Sequence, residues 1–182
     1  MVFRAFLDAN VIVPARYRDI LLTLAEAGLY KPLWSQLVLD EVARHLPESM
    51  TDEDRRFLFQ MMNEAFPEAL VTWPGFVDLA VRAHVNEKDR HIVAAALWGR
   101  ADLLLSLDAT LRQEVIASRL VEAQSMPEFI TSVIDTNAFV ARTALITMAR
   151  RRWGVATTST DTEILKRFKS YFHRHGWSIS GL

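Results

Sequence analysis

The stretch Val2-Phe3-Arg4-Ala5-Phe6-Leu7-Asp8-Ala9-Asn10 decides how this chain folds. Its first six residues, apolar apart from Arg4, predict a short buried strand, and Asp8-Ala9-Asn10 supplies the turn that ends it. A second apolar run, Leu103-Leu104-Leu105-Ser106-Leu107, closes the same way on Asp108. Helical periodicity fills the space between them. Helices are predicted over 15–27, closed by Gly28, over 36–46 with Ser35 as N-cap and Pro47 as stop, and from Thr51-Asp52-Glu53-Asp54 to about Phe66. A further helix is expected near 77–85, one over 87–99 capped by Asn86, and one over 111–117. Short strands are expected at 31–34, 69–72 and 120–123. Alternation of this kind predicts an α/β fold with a parallel sheet covered on both faces.

In such a sheet, strand C-termini and helix N-termini share one edge. Asp8 and Asp108 end strands; Glu41 and Asp89 lie in the helical patterns that follow Ser35 and Asn86. All four therefore map to that edge. Four carboxylates gathered in one place require a compensating cation, and hard divalent ions such as Mg²⁺ or Mn²⁺ prefer oxygen ligands. Each acid also has a plainer reading: Asp8 and Asp108 as turn or cap residues, Asp89 as support for a helix N-terminus, Glu41 as partner of Arg44 or His45.

Composition limits the alternatives. With 182 residues and 51% apolar content, the chain can bury a sizeable core. A formal net charge of −1 gives no global basic field, so any nucleic-acid contact must come from local patches. The chain has no cysteine, which removes disulfides and thiolate metal sites and suits a reducing cytoplasm. The first apolar run is short and carries Arg4, unlike a signal peptide, and no apolar stretch reaches the roughly 20 residues of a membrane helix.

After Gln124 the texture changes. A helical region opens at Pro127-Glu128-Phe129-Ile130, a long helix is expected over 137–153, and Thr160-x-x-Glu163 is a capping box for a last helix over 161–173. This divides the chain into residues 1–125 and a C-terminal helical extension, 126–182. Ile134-Asp135-Thr136-Asn137 mimics the first motif, but too few residues follow for a second copy of the fold, and Asp135 and Thr136 read as caps of the long helix.

Four segments together carry a family resemblance. Phe6-Leu7-Asp8-Ala9-Asn10-Val11-Ile12, Ser35-x-x-Val38-x-x-Glu41-Val42, Lys88-Asp89-Arg90-His91-Ile92-Val93-Ala94-Ala95-Ala96-Leu97 and Ala101-Asp102-Leu103-Leu104-Leu105-Ser106-Leu107-Asp108 resemble, in order, the four acidic motifs of PIN-domain nucleases. Within that family the chain is most similar to VapC-like toxins, the ribonuclease halves of toxin–antitoxin pairs. The resemblance spans about residues 2–130. It departs where many relatives carry a further Asp, at a place held here by Leu111.

The resemblance implies a PIN-like α/β/α sandwich and hydrolysis of RNA phosphodiesters, with Mg²⁺ or Mn²⁺ neutralising the phosphate and activating water. The expected product carries a 5′ phosphate. Asp8, Asp89 and Asp108 are the expected metal ligands. Glu41 is expected to assist the attacking water, and Asn10 and Ser106 to hold the ligands in place. The implied partners are RNA, an antitoxin protein and a second copy of the chain. The Phe57, Phe59, Met61, Met62 and Phe66 cluster suits either core packing or a groove for such a partner. Arg150, Arg151 and Arg152 beside Trp153, and Lys166, Arg167 and Lys169 beside Phe168, suit either RNA contact or the dipole of a helix C-terminus. His84 and His91 are expected on the solvated helix surface.

Two other functions compete. A haloacid-dehalogenase-like phosphatase also starts with a strand-end Asp, but it needs a second Asp where Asn10 stands. A catalytically inactive PIN-like domain that binds RNA or protein is the alternative from a different class.

Overall fold

A computed structural model describes residues 2–182. Its centre is a five-stranded sheet, every pairing parallel: β1 (Arg4–Leu7), β2 (Lys31–Ser35), β3 (Leu70–Val71), β4 (Leu103–Leu105) and β5 (Glu122–Gln124), in the order β3-β2-β1-β4-β5. Phe6 pairs with Leu33 on one side and Leu104 on the other. Consecutive strand side chains point to opposite faces. Ala5, Phe6 and Leu7 are nevertheless all fully buried, as are Leu103, Leu104 and Leu105, so both faces must be covered.

The cover is helical. Helices α1 (Ala9–Ile12), α2 (Ala15–Glu26), α3 (Gln36–His45), α4 (Asp52–Ala65), α5 (Leu79–His84), α6 (Arg90–Trp98) and α7 (Ala109–Ser118) connect the strands. α6 lies against β2 and β4, α2 and α3 pack on β2, and α5 bridges α6 and α7. This is the parallel α/β architecture predicted, and it is compatible with an α/β/α sandwich.

The chain leaves β1 toward β2 and β3, then crosses back to place β4 and β5 on the other side. The direction of winding therefore reverses between β1 and β4. At such a reversal the loops beyond the strand C-termini part and leave a crevice, the usual place for a ligand in an open α/β sheet.

The tail continues the same hydrophobic core. It comprises α8 (Met126–Thr136), α9 (Ala138–Arg152) and α10 (Asp161–Arg174). Phe129 of α8 packs edge-on to Tyr30 and Phe3, α9 lies along α2, and Asp19 accepts hydrogen bonds from Arg152 and Trp153. Among the described residues no single helix is long and apolar enough to cross a membrane; the apolar pair α8 and α9 is bent by 116° and contributes to the core.

Two caps differ from expectation. Asp135 and Thr136 belong to α8, and Asn137 caps α9 by accepting from Val140 N. A helix accommodates Asp and Thr in its last turn, while Asn137 adopts the extended conformation an N-cap needs. Asn86 precedes a single 3₁₀ turn, Glu87–Asp89, and its side chain bonds Glu114 instead of the turn.

Candidate functional site

Asp8 ends β1 and is 4% exposed, the one buried carboxylate among the described residues. Both of its oxygens are engaged. Oδ1 accepts from Ala9 N at 2.7 Å and so caps α1. Oδ2 accepts from Asn10 Nδ2 at 2.7 Å and from Ser106 Oγ at 2.6 Å. Asn10 Oδ1 in turn accepts from Leu107 N at 2.9 Å, and Ser106 Oγ from Asp108 N at 3.0 Å. Asn10 and Ser106 thus tie the ends of β1 and β4 together through Asp8 and through each other.

Burial pushes the Asp8 carboxyl up to about 6, against the lowering effect of the Ser106 and Ala9 hydrogen bonds. The negative charges of Glu41 and Asp89 push it the same way, so both lie close enough to be felt. Glu41 is half-buried on α3, which packs against α1, and its carbonyl bonds the His45 ring.

Asp89 closes the 3₁₀ turn ahead of α6 and is half-buried. Burial also raises its carboxyl, Lys88 opposes this, and Asp108 and Glu114 add to it. Asp108 caps α7: its Oδ1 accepts from Thr110 N at 2.8 Å and Leu111 N at 3.1 Å. Its Oδ2 faces Lys88, whose Nζ lies 3.8 Å from Asp108 and 3.5 Å from Asp89. The plain reading of Asp8 and Asp108 holds: one oxygen of each caps a helix, while Oδ2 of Asp8 meets Asn10 and Ser106 and Oδ2 of Asp108 faces Lys88.

A series of acids thus lies along the carboxyl edge, each within range of a neighbour's charge: Glu41 and Asp89 act on Asp8, and Asp108 acts on Asp89, with the Lys88 ammonium between the last two. Glu114 extends the series, a residue that sequence reasoning missed. It lies on α7 and accepts from Asn86 N at 3.0 Å. Its spacing of three from Leu111, itself buried, was the available signal.

The donors are all carboxylate oxygens, the chemistry a hard divalent ion prefers. The charged form of Asp8 is disfavoured chiefly by burial and further by Glu41 and Asp89, and a lysine ammonium already sits between two of the other acids. The residue types therefore fit such an ion. Their arrangement is open: among the described residues, no three His, Asp or Glu side chains converge closely enough to form a ready-made metal site.

The basic residues of the tail divide. Arg150 pairs with Asp161 at 2.7 Å and Arg152 with Asp19 at 3.0 Å, so both serve the packing of the tail. Arg151, Lys166, Arg167 and Lys169 are exposed. In the Phe/Met cluster, Met62 is buried and Phe59 and Phe66 are half-buried, while Phe57 and Met61 are exposed. Compared with protein-family models, curated proteins and solved structures, the chain matches none.

Proposed function

We propose that this protein is a divalent-metal-dependent ribonuclease of the PIN type, the toxin of a toxin–antitoxin pair. One observation carries the reading: a buried, electrostatically strained Asp8 at the reversal point of a parallel sheet, with Glu41 and Asp89 within range of its charge. Substrate class and partner come from the four-motif resemblance.

Asp8, Asp89 and Asp108 would hold the ion, Mg²⁺ or Mn²⁺. When bound, it supplies positive charge that offsets the phosphodiester and lowers the pKa of water. The remaining work belongs to the chain. Asn10 and Ser106 fix the Asp8 carboxylate through hydrogen bonds to Oδ2, so it would bind an ion with little reorganisation. Glu41, half-buried and within range of Asp8, would take a proton from the attacking water. Lys88, tethered only to acids and largely exposed, is free to swing onto a substrate phosphate once those acids are neutralised.

The second reading is an inactive binding domain, favoured by Lys88 itself. A lysine that permanently neutralises Asp89 and Asp108 would leave no room for an ion. Incubating end-labelled RNA with the protein in Mg²⁺ or Mn²⁺, and in EDTA, separates the two. The nuclease reading expects cleavage that needs metal and falls at least about 100-fold in Asp8→Asn, equivalent to roughly 3 kcal/mol of transition-state stabilisation. Intact RNA under every condition, with binding independent of metal, would establish the inactive domain.

A further inference from the structure

Away from the carboxylates, a cavity of about 350 Å³ opens between α10, the end of α9 and the start of α2. Arg16, Lys166, Arg167 and Arg174 line it together with Trp153 and Tyr171, and no carboxylate does. Unlike Arg150 and Arg152, none of these four cations is in an ion pair with a described acid. Glu163, near Lys166 and Arg167, is instead turned to Thr160, whose N–H it accepts at 2.8 Å. Four cations without an acidic partner around one cavity, one from α2 and three from α10, are conspicuous in a chain of net charge −1. Mutual repulsion makes such a grouping unfavourable unless an anion relieves it.

The seating of Arg16 narrows the class of anion. Its guanidinium lies 5.2 Å from the Trp153 ring centroid and 5.5 Å from that of Tyr171, two rings tilted 59° to each other, so the rings hold an exposed arginine beside the cavity. An unpaired nucleobase stacks on a guanidinium plane held in this way while its phosphates meet the surrounding cations. An acidic peptide would use the charges but not the stacking plane. The volume suits about one unpaired nucleotide, near the lower limit of small-molecule pockets, and its concave shape excludes a duplex.

Position agrees. Arg16 stands on the second residue of α2, and α2 follows directly on α1, the helix capped by Asp8. Arg18 fastens the two helices through the carbonyls of Ile12 and Val13. The cavity therefore takes one wall from the helix that continues the segment leaving β1 at the carboxyl edge of the sheet.

We propose that this cavity is a subsite for single-stranded RNA, gripping one nucleotide of a strand whose other part lies at the carboxylates. The choice of RNA over other anions rests on the ribonuclease reading. The test is fluorescence anisotropy with a short labelled single-stranded RNA in EDTA, on the full chain. Lys166→Glu/Arg174→Glu is compared with the conservative Lys166→Arg/Arg174→Lys, and circular dichroism checks that each is folded; the single variants Lys166→Ala and Arg174→Ala replace the double if it is not. The reversed pair should bind at least about tenfold more weakly and lose about 1.4 from the slope of log affinity against log salt, the share of two phosphate contacts. The conservative pair should stay near the wild type.

An unchanged affinity and slope would overturn the subsite, as would displacement of bound RNA by neither base-containing strands nor mononucleotides but only by poly-glutamate. A parallel cleavage assay in Mn²⁺ keeps the two proposals apart. Weakened binding with no cleavage by any form upholds the subsite and removes the nuclease; cleavage with unmoved binding does the reverse.

Discussion

Asp8 concentrates the chemistry of this molecule in one side chain. A buried carboxyl raised from 3.8 to about 6 carries a proton more tightly in the folded than in the unfolded chain. Its contribution to stability is therefore complete below 3.8 and is lost as pH rises through about 6, a decline of roughly 3 kcal/mol. Chemical denaturation of metal-free protein across that window should reveal the step. Asp8→Asn should abolish it, and a step of equal size in the variant would assign it to another group. On the same edge, Lys88 supplies positive charge between Asp89 and Asp108. Because the lysine is largely exposed, its pairs are weak, about 1 kcal/mol at most. Lys88→Ala should accordingly tighten Mn²⁺ binding by up to about fivefold in a calorimetric titration. Weaker binding would mean that the lysine orders the acids instead of competing for them.

At the level of elements, caps decide details that periodicity leaves open. Asn137→Ala should cost about 1 kcal/mol of stability, because the Val140 N–H loses its acceptor. Asp135→Ala, on the exposed last turn of α8, should change it by less than about 0.5 kcal/mol. Equal effects in urea denaturation would contradict this assignment. By residue type Asp135, Thr136 and Asn137 are all good caps, and only backbone conformation separates them. Strands fared differently. The runs at Phe6 and Leu104 are buried on both faces and were legible as continuous apolar stretches. β3 and β5 are edge strands with half-exposed residues, so their limits were set by pairing with neighbours. Asn86 looked like a cap because local sequence cannot reveal Glu114, 28 residues away.

For the whole molecule, topology does what no local motif can. Asp8 and Ser106 are 98 residues apart, yet they meet because β1 and β4 are neighbours at the reversal of winding. The acidic edge was inferable once the alternation of elements was read. The openness of the carboxylate arrangement was not, since it depends on side-chain rotamers and on Lys88. The unpaired cations of the tail were likewise hidden: sequence treats Arg150 and Lys166 alike, and only the packing of α9 on α2 and α10 shows which is consumed by an internal pair.

The account depends on the carboxyl edge holding a divalent ion. Electron paramagnetic resonance of Mn²⁺ measures this directly, because bound ion leaves the sharp aqueous signal. The wild type should deplete that signal saturably at neutral pH, with affinity at least about tenfold lower in both Asp8→Asn and Asp89→Asn. Full signal in the presence of excess wild-type protein, or depletion identical in all three proteins, would contradict it.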